Sequence, residues 1–181
     1  DGRYEADDLI GTLAEYWRER GHPICVVTSD KDLAQLVAEG DHWWDFSRNQ
    51  KLNAKQLTVK FGVRPEQMAD YLALTGDAVD NIPGVPGIGP KSASALLGHF
   101  GDLESIYERL EEVQHLSLRG AKSMQKKLHD NRDAAELAKK LTVIETAVES
   151  ALVSPETRRS QTDIASLNRL FDQLEFGGML R

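Results

Sequence analysis

Carboxylates dominate the chemistry that these 181 residues can offer, and they fall into three clusters. Glu5-Ala6-Asp7-Asp8 opens the first helical pattern, where Glu5 and Asp8, three positions apart, share a helix face. Thr28-Ser29-Asp30-Lys31-Asp32 follows a short apolar run, and in open α/β sheets ligands gather outside the carboxyl ends of strands. Thr75-Gly76-Asp77-Ala78-Val79-Asp80-Asn81 lies between a helical pattern and a Gly/Pro-rich stretch. Each cluster also has an ordinary structural explanation. Acids complement the positive end of a helix dipole, Ser29 or Asp30 can cap the next helix, and Asp-Asn runs make polar turns. Together, Glu5, Asp7, Asp8, Asp30, Asp32, Asp77 and Asp80 would repel one another if they converged, and their pKa values would rise. Hard divalent cations relieve that repulsion, and all-oxygen ligation suits Mg²⁺ or Mn²⁺. No Cys or His cluster with zinc spacing competes. Paired ions about 4 Å apart are the machinery of in-line displacement at phosphorus.

A second group of residues suits phosphate rather than metal. Gly84-Val85-Pro86-Gly87-Ile88-Gly89-Pro90-Lys91 sits between two helical patterns. Glycines let the backbone turn tightly and approach another group, and the N–H groups opening the next helix can hold a phosphate. Lys91 and the small Ser92 leave room for a nucleic-acid backbone, a contact that positions without reading bases. A plain helix–helix turn is the alternative. Downstream, the stretch from Ser117 to Leu128 carries Arg119, Lys122, Lys126 and Lys127 and no acid, which fits either a phosphate-facing stripe or a solvated helix face. Trp43, Trp44 and Phe46 read as core or strand residues rather than base-stacking groups.

The elements that must position these groups follow from periodicity. Apolar residues at 9, 10, 13, 14 and 17 predict a helix over 6–20, with Gly21 as its stop. Residues 23–28 predict a fully buried strand, 32–38 a brief helix and 42–46 a second strand, parallel to the first. Beyond Lys51 the pattern is helical, over 52–61, 65–75, 91–100, 102–110 and 117–141. A polar connector over 154–163 precedes a last helix over 163–174. The expected fold class is α/β: a partial parallel sheet with helices, then a mostly helical region that carries the glycine hairpin. Residues 1–50 would be the C-terminal part of an α/β metal-binding core, and 51–181 the helical region.

Composition narrows the classes. With 40% hydrophobic and 28% charged residues, the chain is that of an ordinary globular domain. Cys25 is the single cysteine, so no intrachain disulfide forms. No apolar run is long enough for a membrane span, and the polar opening Asp1-Gly2-Arg3-Tyr4-Glu5 shows no signal peptide. The abrupt start at Asp1 reads as a piece of a longer chain. A net charge of −7 argues against indiscriminate nucleic-acid binding, yet leaves room for clustered acids that await cations.

Four motifs in order carry a resemblance: Tyr-Glu-Ala-Asp-Asp, Thr-Ser-Asp-Lys-Asp-Leu, Ala-Leu-Thr-Gly-Asp-Ala-Val-Asp-Asn and Ile-Pro-Gly-Val-Pro-Gly-Ile-Gly-Pro-Lys. The chain resembles the bacterial 5′→3′ nuclease family, which includes the N-terminal nuclease domain of DNA polymerase I and flap-endonuclease-like proteins. The resemblance extends to the closing Leu174-Glu175-Phe176-Gly177. It implies a structure-specific 5′→3′ exonuclease or flap endonuclease of DNA replication and repair, acting on DNA with 5′ ends or flaps. Glu5, Asp7 and Asp8 would belong mainly to a first Mg²⁺ or Mn²⁺ site, with Asp30 and Asp32 after the strand and Asp77 and Asp80 leaning toward a second. The hairpin would be a helix–hairpin–helix-type DNA-binding element, contacting DNA through Gly84, Gly87, Gly89, Lys91 and Ser92. Carbonyls near Pro83, Val85 and Ile88 would hold K⁺. Such a protein is expected to be a monomer, cytoplasmic and nucleoid-associated, with no membrane contact. The family also has an earlier segment with two further metal aspartates and a basic arch, so this stretch alone is expected to be inactive. The competing classes are a non-catalytic binder of DNA structures that uses only the hairpin, and a small-molecule phosphatase, which leaves the hairpin unexplained.

Overall fold

A computed structural model describes residues 2–149 and 161–176. Most of the expected connector, and Gly177 of the closing motif, lie outside the described residues. Helix α1 (Ala6–Arg18) starts at Glu5, whose N–H donates to Asp8 Oδ2 at 3.0 Å. The acids of this first turn therefore do cap the helix, as dipole arguments require. At its other end Arg18 donates to Asp41 Oδ2 through Nε (2.9 Å) and Nη2 (2.7 Å), while Asp41 Oδ1 accepts the Ile24 N–H at 2.7 Å. This pair, with Asp41 buried and Arg18 half-buried, ties the end of α1 to the start of the sheet.

The sheet has three strands in the order β1 (Cys25–Val27), β2 (His42–Asp45), β3 (Gln50–Leu52). β1 and β2 are parallel, with Val26 beside Trp43, as expected. One expectation needs correction. β1 is not fully buried: Cys25 and Val27 are exposed and only Val26 is buried, since among the described residues β1 is the outer strand of the sheet and one face turns away from the core. The sheet also has a third strand that the sequence pattern did not predict, β3, antiparallel to β2. β3 is short, with Leu52 its one apolar residue, and its turn carries no glycine. The buried Asp45 closes that turn instead, accepting from Ser47 Oγ (2.7 Å) and the Arg48 N–H (3.1 Å). Trp43 is core, 2% exposed, but Phe46 lies beyond β2 and is 69% exposed, so it is not a core residue.

The rest is helical. The segments are α2 (Ala54–Phe61), α3 (Met68–Thr75), α4 (Pro90–Phe100), α5 (Leu103–Glu108), α6 (Ala121–Asp130), α7 (Arg132–Thr142) and α8 (Ile164–Gln173). The brief helix after β1 is a 3-10 turn over Asp32–Leu36. Side-chain caps mark three of the starts: Asn53 accepts from the Gln56 N–H, Asp102 from Ser105, and Asp163 from Ser166. Leu74, Leu96, Leu97, Ile106 and Leu128 are fully buried and join α3, α4, α5 and α6 in one core that reaches Trp43 of the sheet. α7 packs along α3, and the chain after α7 then docks beside α1. There Asp8 Oδ1 accepts the Glu145 N–H at 2.9 Å and Thr12 Oγ1 the Val148 N–H at 3.1 Å. That docking closes one end of a cavity at the carboxyl end of β1.

Candidate metal centre and nucleic-acid hairpin

The cavity measures about 1360 Å³. Glu5, Asp7, Asp8, Asp30, Asp32 and Asp80 all line it, so three distant chain segments do converge. Asp77 stands directly behind: Asp32, Asp77 and Asp80 offer carboxylate oxygens that all lie within 4.8 Å of one another. Each segment is held in place by local bonds. Asp30 Oδ1 accepts the Asp32 N–H at 2.9 Å, and the Asp30 carbonyl accepts Trp43 Nε1–H at 2.8 Å. Asp77 pairs with Ile82 in a backbone bridge of 2.8 and 2.7 Å, and its Oδ1 accepts the Val79 N–H at 3.0 Å. Asp8 spends both oxygens on backbone N–H groups, as a cap and as a clamp.

The electrostatics are those of crowded acids. Burial, then the charges of Asp30, Glu5, Asp8 and Asp80, push the Asp7 carboxyl above the usual range. Burial also lifts Asp32, to about 6, with Asp30, Asp77 and Asp80 adding to the rise and Lys31 opposing it. Asp77 moves the other way: burial would raise it, but the hydrogen bond from Lys31 and the Val79 N–H outweigh burial and hold it low. Asp32 Oδ1 is buried and accepts no hydrogen bond. Aspartate oxygens alone, one of them without a hydrogen bond, fit a hard divalent cation.

Lys31, between the two acids of the second cluster, is a site residue that spacing did not single out. Its ammonium hydrogen-bonds Asp77 and lies 3.5 Å from Asp32 Oδ1. A lone cation flanked by acids at a strand end was the available signal. Across the cavity Lys139 ion-pairs Asp70 and Glu104, each at 2.6 Å. Tyr107, also on that wall, keeps a buried hydroxyl pushed up to about 12 by burial.

The glycine hairpin joins α3 to α4. Gly76, Gly84 and Gly87 have φ of +78°, +65° and +80°. Gly84, expected to face DNA, is buried: a Cβ there would sit 2.5 Å from the Thr75 carbonyl carbon and 2.8 Å from Gly76 Cα. Its lack of a side chain presses the hairpin onto the turn that presents Asp77. Gly87 and Gly89 are exposed, as is Lys91, and Ser92 is half-buried on the first turn of α4. Lys127 of α6 reaches over Gly87, where a Cβ would overlap its ammonium and lie 3.3 Å from Cε. Arg119 and Lys122 are exposed, whereas Lys126 is paired with Asp130 at 2.6 Å, so the basic stripe is weaker than its sequence charge. The Val85 N–H donates to the Leu74 carbonyl at 2.9 Å and the Ile88 N–H to the Val85 carbonyl at 3.0 Å, which fixes the loop between the helices. Among the described residues no helix is long and apolar enough to cross a membrane.

Residues 2–62 match the family model for the 5′-3′ exonuclease N-terminal resolvase-like domain, and residues 63–165 the model for the 5′-3′ exonuclease C-terminal SAM fold. DNA polymerase I of Pseudomonas aeruginosa is 42% identical over 97% of this chain and 19% of that protein. A 5′-3′ exonuclease of Aquifex aeolicus is 33% identical over 98% of this chain and 58% of its own length. The chain thus spans only part of the relatives it matches. Among solved structures, T5 5′-exonuclease with bound divalent metal ions (zinc) superposes with a TM-score of 0.68 at 19% identity, covering 95% of this chain and 59% of that one. The catalytic core of Rad2 in complex with DNA substrate gives 0.57 at 18% identity, covering 93% and 57%. With both models matched in tandem across nearly the whole length, the chain belongs to the 5′-3′ exonuclease family.

Proposed function

We propose that this chain is the part of a metal-dependent 5′ nuclease that supplies most of its carboxylates and its DNA-holding hairpin. The observation that carries the reading is the gathering of Glu5, Asp7, Asp8, Asp30, Asp32 and Asp80 around one cavity, with Asp77 beside them. A binder that used only the hairpin would gain nothing from such charge near phosphates. Asp32, Asp77 and Asp80 would hold one Mg²⁺ or Mn²⁺, and Asp7 and Asp30, with Glu5, would face a second. When bound, such ions polarise a phosphodiester and activate water for attack at phosphorus. The chain's own residues orient those ions, while Gly87, Gly89, Lys91, Ser92 and Lys127 fix the duplex by its backbone. Carbonyls of Pro83, Val85 and Ile88 are where a K⁺ would join the phosphate. In this reading residues 1–50 form the α/β part of the metal core, the helical region 51–181 adds Asp77, Asp80 and the DNA-holding hairpin, and the enzyme works as a cytoplasmic monomer on replicating or damaged chromosomal DNA.

The complete polypeptide that contains this chain should cleave 5′-flap DNA with Mg²⁺ or Mn²⁺ and not with Ca²⁺, because only a compact ion polarises strongly enough. Gel assays of flap substrate decide this, and equal cleavage in excess chelator contradicts it. The 181-residue chain alone should bind duplex DNA without cutting it. Lys91, Lys127 and one of the exposed cations would neutralise about three phosphates, so the logarithmic salt slope should be about −3. Gly87→Val displaces Lys127 and strains a positive φ, and should weaken binding about three- to tenfold while leaving the fold intact. Titrating labelled duplex against KCl checks both. Salt-indifferent binding, or a variant that binds like the wild type, would remove the hairpin from the DNA interface.

A further inference from the structure

Lys31 occupies the space between the carboxylates that a metal would claim. Its ammonium hydrogen-bonds Asp77 and lies 3.5 Å from Asp32 Oδ1. Those same two residues, with Asp80, form the triad whose oxygens lie within 4.8 Å of one another. An ammonium and a divalent ion therefore compete for one set of donors. We propose that Lys31 is a displaceable internal cation, one that holds Asp32 and Asp77 together in the metal-free chain and withdraws when a divalent ion binds. The inference rests on the metal reading of the cluster.

Three observations carry it. Asp32 and Asp77 are 9% and 5% exposed, so leaving their charges unopposed would be costly. Lys31 is tethered in the loop that carries Asp30 and Asp32, so its ammonium is always at hand. Its side chain is 35% exposed, and its flexible four-carbon stem can swing the charge into solvent without moving the backbone. A divalent ion has twice the charge and wins the contest, but only the fraction of molecules with Lys31 withdrawn can accept it. The apparent affinity falls by that fraction. Removing the ammonium should thus tighten metal binding, whereas losing a residue that merely supports the shape of the site would weaken it.

The test is a calorimetric titration of the 181-residue chain with Mn²⁺, comparing the wild type with Lys31→Met, which keeps the stem and drops the charge. The variant should bind Mn²⁺ about tenfold more tightly. Equal or weaker binding by the variant overturns the proposal and leaves the metal site standing. Absence of Mn²⁺ binding in both chains overturns the metal reading and the proposal with it. A second measurement needs no variant: the lysines of the wild-type chain are labelled with an amine-reactive reagent with and without Mn²⁺, and read by mass spectrometry. Lys31 should label about threefold faster or more with Mn²⁺, as its ammonium is released, while the exposed Lys55 and Lys122 stay constant. No change at Lys31 under saturating Mn²⁺ overturns the proposal even if Lys31→Met fails to fold.

Discussion

Asp32→Asn is expected to stabilise the metal-free chain at pH 7 while reducing its affinity for Mn²⁺ about a hundredfold or more. The wild-type carboxyl is lifted by burial and by Asp30, Asp77 and Asp80 to about 6, from an ordinary value of 3.8. The folded chain thus holds this proton more tightly than the unfolded chain does. The sign follows from linkage: stability falls as pH rises from about 4 to about 6, and the whole penalty is present at pH 7. A shift of about two units corresponds to at most about 3 kcal/mol. Asparagine keeps the shape and carries no charge, so the variant should lose about 1–3 kcal/mol less than the wild type between pH 4.5 and pH 7. Asp7, lifted by burial and its acidic neighbours, leaves a residual slope in both. Urea denaturation across that pH range measures the difference. Superimposable pH profiles, or Mn²⁺ affinity unchanged in the variant, would contradict the site as drawn.

Gly84→Val should destabilise the chain by about 3–5 kcal/mol and lower its melting temperature by roughly 6–15 °C. Two effects combine at this position. Its φ of +65° is one that a β-branched residue rarely adopts, and a Cβ would overlap backbone atoms of Thr75 and Gly76, which cannot swing aside. The turn displaced is the one that presents Asp77, so Mn²⁺ binding should fall with stability. Thermal denaturation followed by circular dichroism reads the first effect. A melting temperature within about 2 °C of wild type would show that the hairpin does not press on that turn as described.

The contrast between these glycines shows what the sequence could carry. Gly-Val-Pro-Gly-Ile-Gly-Pro-Lys marks a tight loop between helices, and the loop is there, but spacing could not say which glycine faces inward. Gly84 packs against α3 while Gly87 lies under Lys127, a relation set by α6 some 40 residues downstream. The acids were legible as types and places, because strand ends and helix starts are where ligands gather. Their convergence was not, since it is a matter of tertiary packing: Lys31 bridges to Asp77 from 46 residues away, and the chain after α7 docks on Asp8 and Thr12 of α1. Lys31 was hidden by its neighbours: in Asp-Lys-Asp the flanking acids drew the chemistry, although the cation between them touches both Asp32 and Asp77. β3 escaped because Gln50, Lys51 and Leu52 hold a single apolar residue, too little hydrophobic alternation to read as a strand. An apolar run such as Ile24-Cys25-Val26-Val27 suggests more burial than β1 has, because it cannot reveal that the strand is the outer one among the described residues.

Occupancy of the carboxylate cavity by a divalent metal can be measured. Crystals of the chain soaked in Mn²⁺ and recorded at an X-ray energy where manganese scatters anomalously measure it directly. A peak between the carboxylates of Asp32, Asp77 and Asp80, lost in Asp32→Asn, is the predicted result; no peak among those three at saturating Mn²⁺ would contradict the account.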